Sequence, residues 1–202
     1  MWWLDLQSRR QERHVATAGC VDPSATIEPG ATLDDRDGPI SIGANTRICA
    51  GAIIKGPVMI GERCIIGNYA MVRGPSVIGD QVQVGFATEI KAAVIDSGVA
   101  IGPQCFVADS LIEAGAYFGA QVRTSNHRLD KRNVTVIIDG KPVDSGTRKL
   151  GCRIGARSSL GIQVIILPGR DIAPDSTFAP RVTIEKNLPA GRYRLVQPIE
   201  AF

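Results

Sequence analysis

Stepping through the chain in sixes from Ile42 meets Ile48, Ile54, Ile60, Ile66, Val72, Ile78, Val84 and Ile90, an unbroken run of Ile or Val. The run extends backwards through Leu33, Ile27 and Val21, across a three-residue insertion between Asp34 and Pro39. Forwards it slips by one to Ile95, Ile101 and Val107, and by one again to Ile112 and Phe118. It vanishes after Thr124 and resumes at Ile154, Leu160, Ile166, Ile172, Phe178 and Ile184. Neither a helix nor a long alternating strand has a period of six. A short strand, a turn and a repeat of both does.

The other hexad positions agree. Gly often follows the lead (Gly43, Gly61, Gly67, Gly79, Gly85, Gly102), as expected for a tight corner. Four after the lead comes a small or β-branched residue: Thr46, Ala52, Val58, Cys64, Ala70, Ser76, Val82 and Thr88. Three hexads bring the chain back above itself, so strands stack in parallel about 4.8 Å apart and the leads point into a narrow interior. The pattern predicts an all-β parallel solenoid of seven to eight coils.

Three segments break the period. Residues 1–19 read as a helical arm, 20–189 as the solenoid and 190–202 as a C-terminal tail. Within the solenoid, residues 125–150 form one long inserted loop. Val134 to Val143 in that loop reads as a hairpin, with Asp139-Gly140 suited to a type I′ turn. A long excursion from a rigid scaffold is where function is commonly carried.

Composition narrows the picture. Ile and Val outnumber Leu, Gly is abundant and aromatics make up 5% of residues, which excludes a helical bundle. The net charge is +3 with both signs scattered, so no nucleic-acid-binding face is implied. The longest uncharged runs (Ser97 to Ala108, Ser158 to Gly169) fall short of the ~20 residues of a membrane span. The N-terminus lacks a basic region followed by an apolar core, so no signal peptide is expected. Five cysteines without a CxxC pair point to a reduced, cytoplasmic protein.

Candidate chemistry is sparse. Cys64, Cys105 and Cys152 occupy core slots and read as buried structural thiols. With His14 and His127 the only histidines, a three-histidine zinc site is closed and no metal is expected. His14 reads as solvated. His127 admits two readings, a polar loop residue or a general base near neutral pH. Arg73 and Lys91 are one coil apart and should share an edge, with Arg123, Arg128, Lys131 and Arg132 on or near the loop. These are either solvated corners or a phosphate site.

Several segments carry a resemblance: Gly74-Pro-Ser-Val-Ile-Gly79, Glu89-Ile-Lys91, Val107-Ala-Asp-Ser110, Phe118 to Asn126 and Asp139 to Gly151. In these the chain resembles the hexapeptide-repeat acyltransferases, in particular the C-terminal acetyltransferase domain of bifunctional sugar-1-phosphate nucleotidylyltransferase/acetyltransferases. The resemblance implies a left-handed parallel β-helix, a homotrimer, and acetyl-CoA as co-substrate along the last coils, near Gly161 and Ala179. It implies that Arg73 and Lys91 contact the acceptor's phosphate, that Asn126 assists at the reacting centre, and that Arg132 is a loosely aligned basic contact. The family's catalytic His and the Tyr three residues later are replaced by Pro103 and Phe106, which leaves His127 as the candidate base. The resulting expectation is an acetyl-CoA-dependent acyltransferase acting on a sugar phosphate or nucleotide-sugar acceptor. The alternative is a non-catalytic sugar-phosphate-binding or scaffolding subunit. A separate nucleotidylyltransferase is a candidate partner, because that domain is missing here.

Overall fold

The computed structural model describes residues 1–15 and 19–197, with side chains described through residue 11 and again from residue 19. The side chain of His14 and the last five residues of the tail lie outside that description. The chain winds as a left-handed parallel β-helix of about nine turns. Its three faces are parallel sheets. The first has nine strands, from Thr26–Ile27 to Arg192–Tyr193. The second has eight, from Thr32–Asp34 to Thr183–Ile184, and the third seven, from Ile40–Ile42 to Asp171–Ile172.

The hexad leads form the core. Ile48, Ile54, Ile66, Val72 and Ile90 are fully buried, stacked on their equivalents one coil away; Ile90, for instance, pairs with Val72 below and Val107 above. The small slot is buried too, and polar members such as Thr46 are paired. Thr46 Oγ1 donates to the Gly61 carbonyl at 2.7 Å and accepts from the Cys64 amide at 3.0 Å.

The glycines after the leads work differently from expectation. None of Gly43, Gly61, Gly67, Gly79, Gly85 or Gly102 has a positive φ. The left-handed residue comes two positions later and is seldom glycine: Asn45, Arg63, Gln81, Gln104, Gln121 and Gln163 all lie between 54° and 61°. Gly is needed because the next coil sits directly against it: a Cβ on Gly43 would come within 2.7 Å of the Gly61 backbone. The left-handed residues, each disfavoured for an L-amino acid by about 1–2 kcal/mol, are held by a bond to the coil below. Gln81 donates its amide to the Glu62 carbonyl at 2.8 Å, and Gln163 to Ala120 at 2.9 Å.

The periodicity undercounts the turns. Past the last lead, Arg192–Tyr193 pairs with Thr177–Phe178 as the ninth strand of the first face. Tyr193 stacks on Phe178 with centroids 5.0 Å apart, covering the end of the core. In the inserted loop, Thr135–Ile138 and Lys141–Asp144 form the hairpin. Asp139 and Gly140, at φ 47° and 75°, make the two-residue connection that a type I′ turn requires.

Helix α1 (Trp2–Val15) lies across the outside of the third face, on the strands Ser76–Ile78, Val94–Ile95 and Leu111–Ile112. These strands carry apolar residues on their outer side as well: Val77, Val94 and Leu111 are at most 4% exposed. Trp2, Trp3 and Leu6, one helical stripe, pack on them together with Val134, Val136 and Leu150 of the inserted loop. The arm and the loop thus share a second, smaller core. Trp3→Ala should empty that core and release α1, since large-to-small changes there cost about 3–5 kcal/mol. Amide hydrogen exchange should then accelerate in α1 while the coils stay protected; unchanged protection of α1 would refute the assignment.

Candidate functional site

The edge where the second face turns into the third gathers most of the singled-out residues. Arg73 ends the strand Met71–Arg73, Lys91 ends Glu89–Lys91, and the two are direct register partners on adjacent coils. The expected shared edge is therefore present. Both side chains are occupied: Arg73 pairs with Glu89 at 2.7 Å, and Lys91 Nζ lies 3.4 Å from Asp109 Oδ2.

Asp109 is the centre of this edge. It turns the corner after Phe106–Ala108 with φ 49°, a conformation Asp tolerates better than most residues, and it is 6% exposed. The same Oδ2 accepts from Asn126 Nδ2 at 2.6 Å. Its backbone is tied to the coils on either side: its amide donates to the Lys91 carbonyl at 2.9 Å, and its carbonyl accepts from Gly151 at 2.8 Å. A buried carboxylate needs such partners to remain charged.

Asn126 and Gly151 are also the two ends of the inserted loop. The Leu150 amide donates to the Asn126 carbonyl at 3.1 Å and closes its neck. Gly151 can be nothing else, because a Cβ there would stand 2.0 Å from Ser110 Oγ and 2.2 Å from the Ala108 carbonyl. That clash explains the glycine closing the Lys149-Leu-Gly151 motif. Asn126 commits one amide proton to Asp109 and keeps a second to give.

His127 opens onto a groove of about 590 Å³, lined also by Ser125, Arg128, Leu129, Leu167, Pro168 and Arg170. Leu129 is 99% exposed at its rim. Arg128 forms a two-pronged pair with Asp130, at 2.9 and 2.5 Å, which holds that carboxyl well below its usual range. Arg170 donates to the carbonyls of Glu185 (2.9 Å) and Thr135 (3.2 Å), while burial, and then the neighbouring Arg128, lower its pKa. The groove is lined by Leu129, Leu167 and Pro168 together with the guanidinium groups of Arg128 and Arg170 and the carboxylates of Asp130 and Glu185.

The remaining expected residues lie elsewhere. Arg132 is exposed, and its backbone amide donates to Asp130 at 3.1 Å. Gly161 and Ala179 follow strands of the first face, on the edge shared by the first and second faces. That edge bounds the other side of the face carrying Arg73 and Lys91. Among the described residues no group of three or more His, Cys, Asp or Glu is placed to hold a metal ion, and no helix is long and apolar enough to cross a membrane.

Asp109 was legible only as part of the Val-Ala-Asp-Ser motif, and Arg170 by no local signal. Arg10 of α1 also reaches this edge. It donates to the Ala92 carbonyl and lies in the field of Asp109.

Coils of this register, with one excursion emerging beside a polar edge, define a hexapeptide-repeat left-handed β-helix protein. Residues 39–74 match the family model described as bacterial transferase hexapeptide (six repeats). The uncharacterized acetyltransferase YaiX of Escherichia coli O6:K15:H31 (strain 536 / UPEC) is 56% identical over 178 residues, which covers 88% of this chain and 77% of that protein. The chain belongs to the YaiX acetyltransferase family. A bifunctional sugar-1-phosphate nucleotidylyltransferase/acetyltransferase of Sulfurisphaera tokodaii is 35% identical over 111 residues, covering 55% of this chain and 28% of its own length. Among solved structures, the UDP-N-acetylglucosamine acyltransferase of Francisella novicida shares the fold. Its TM-score is 0.54 at 14% identity, covering 85% of this chain and 67% of that one.

The thiols separate cleanly by environment. Burial pushes Cys152 up to about 12 and raises Cys49, Cys64 and Cys105 as well, whereas Cys20 is exposed. An aromatic disulfide reagent at pH 8 should therefore label Cys20 fast in the folded protein and the other four only after unfolding. Rapid labelling of Cys64 or Cys105 in native protein would contradict the burial.

Proposed function

We propose that this protein transfers an acetyl group from acetyl-CoA to an amine or hydroxyl of a phosphate-bearing sugar or nucleotide sugar. The observation that carries the reading is the convergence of Lys91, Asn126 and Asp109 at the mouth of the inserted loop, with His127 next in sequence and facing the groove. Membership in an acetyltransferase family and similarity to a sugar-1-phosphate acetyltransferase support the acceptor class.

Each residue then has a task. Lys91, with Arg73 one coil below, holds the phosphate. Asn126 gives its remaining amide proton to the carbonyl under attack, where preformed donors contribute most. His127 takes the proton that the acceptor must lose. Acetyl-CoA supplies the activated acyl group, and the protein supplies orientation. Gly161 and Ala179 stand on the opposite edge of the second face from Lys91. A homotrimer, in which a neighbour's Gly161 edge meets this chain's loop, brings donor and acceptor together and gives three equivalent clefts. Arg132, exposed near the loop, is a peripheral contact in this arrangement. Cytoplasmic acetyl-CoA places the reaction inside the cell.

The test is release of free CoA thiol from acetyl-CoA with glucosamine-1-phosphate and galactosamine-1-phosphate as acceptors. Release with at least one acceptor is expected. His127→Ala should lower turnover by about 10²-fold or more, and Lys91→Ala should raise the KM for acceptor more than that for acetyl-CoA. Sugar-phosphate binding without any thiol release would instead favour a non-catalytic subunit, the reading suggested by Pro103 and Phe106 in place of a family His and Tyr.

A further inference from the structure

The N-terminal arm does more than cover the third face. Its apolar stripe of Trp2, Trp3 and Leu6 continues one turn on into Arg9 and Arg10, so the same face of the helix that docks also delivers two guanidinium groups. They have different fates. Arg9 pairs with Asp96, a carboxylate of its own. Arg10 donates to the Ala92 carbonyl, the residue that follows Lys91, and its Nε is buried with no partner. Asp109, whose charge acts on Arg10, is engaged instead by Lys91 and Asn126.

The Arg10 guanidinium is the incompletely satisfied group at this edge. Lys91 pairs with Asp109, Arg73 with Glu89 and Arg9 with both Asp96 and Asp5, whereas Arg10 makes no ion pair among the described residues. Burial presses the Arg10 guanidinium towards a lower pKa and Asp109 draws it back up. A partly buried guanidinium with an unpaired N–H is costly unless an acceptor completes it.

We infer that Arg10 is an anion-binding residue of the site, and that Arg10 of α1, Lys91 and Arg73 together form a receptor for a doubly charged phosphate group. This rests on the phosphate-acceptor reading above and adds to it a ligand contributed by the arm. The arm is thereby part of the binding site, and a chain without it would retain the coils yet bind phosphate weakly.

The experiment measures binding rather than turnover. Titration calorimetry with glucosamine-1-phosphate is run on the wild type, Arg10→Gln, Arg10→Lys, Arg9→Gln and Lys91→Ala. Gln at position 10 can still donate to the Ala92 carbonyl but carries no charge. Trp2 and Trp3 are the only tryptophans and both lie on the docked, buried face of α1, so their emission reports whether the arm stays docked. The expected result is a loss of about tenfold or more in affinity for Arg10→Gln, with Arg9→Gln near wild type and Arg10→Lys restoring most of the loss. If Arg9→Gln weakens binding as much as Arg10→Gln, the arm acts only by docking and the inference fails. It fails equally if Arg10→Gln binds like wild type while Lys91→Ala does not. Should neither Arg10→Gln nor Lys91→Ala change the affinity, the phosphate-acceptor reading itself is the one overturned.

Discussion

The stacking of successive coils against one another is the constraint on which the rest of the molecule depends. Each coil must place its lead over the lead beneath, as Ile90 does between Val72 and Val107, or aliphatic surface is left in water at about 25 cal/mol per Å². Once that register is set, everything else repeats with it. Corner residues are held left-handed by a bond to the previous coil, glycines are demanded where two backbones touch, and outward positions line up along the edges. Lys91 stands over Arg73 because the leads beside them stack, with no attraction between the two cations needed.

The proposed site forms at the point where the repeat is interrupted. The inserted loop leaves the solenoid at Asn126 and rejoins it at Gly151, and both ends are bonded to the corner residue Asp109. The loop is anchored on the same carboxylate that engages Lys91, so the scaffold and the excursion share one polar junction. The hairpin in the loop contributes Val134 and Val136 to the core beneath α1, which links the arm to the loop as well. Arm, loop and edge are one packed unit on one side of the prism.

The fold was legible because its signal is periodic and recurs many times over. Ile, Val and small residues at fixed offsets survive an insertion at Asp34 and two single-residue slips. The partnership of Arg73 and Lys91 was legible for the same reason, a separation of one coil. What escaped has a physical explanation in each case. The role of the glycines was misassigned because a tight corner and a close approach ask for the same residue. Arg10 carries no periodic signal: an arginine in a polar arm looks solvated until the helix is placed on the third face. One clue to that placement was present, the doublets Val77-Ile78, Val94-Ile95 and Leu111-Ile112 on three successive coils, apolar on both sides of the strand where other strands of that face carry Ser41, Arg153 or Asp171 outward.

The central claim is that register stacking builds one anion-receiving edge beside the loop mouth. A crystal structure of the protein grown with glucosamine-1-phosphate tests it most directly. The account predicts the phosphate within hydrogen-bonding distance of Lys91 Nζ, on the edge between the second and third faces. A phosphate lodged on either of the other two edges, with Lys91 still paired only to Asp109, would contradict it.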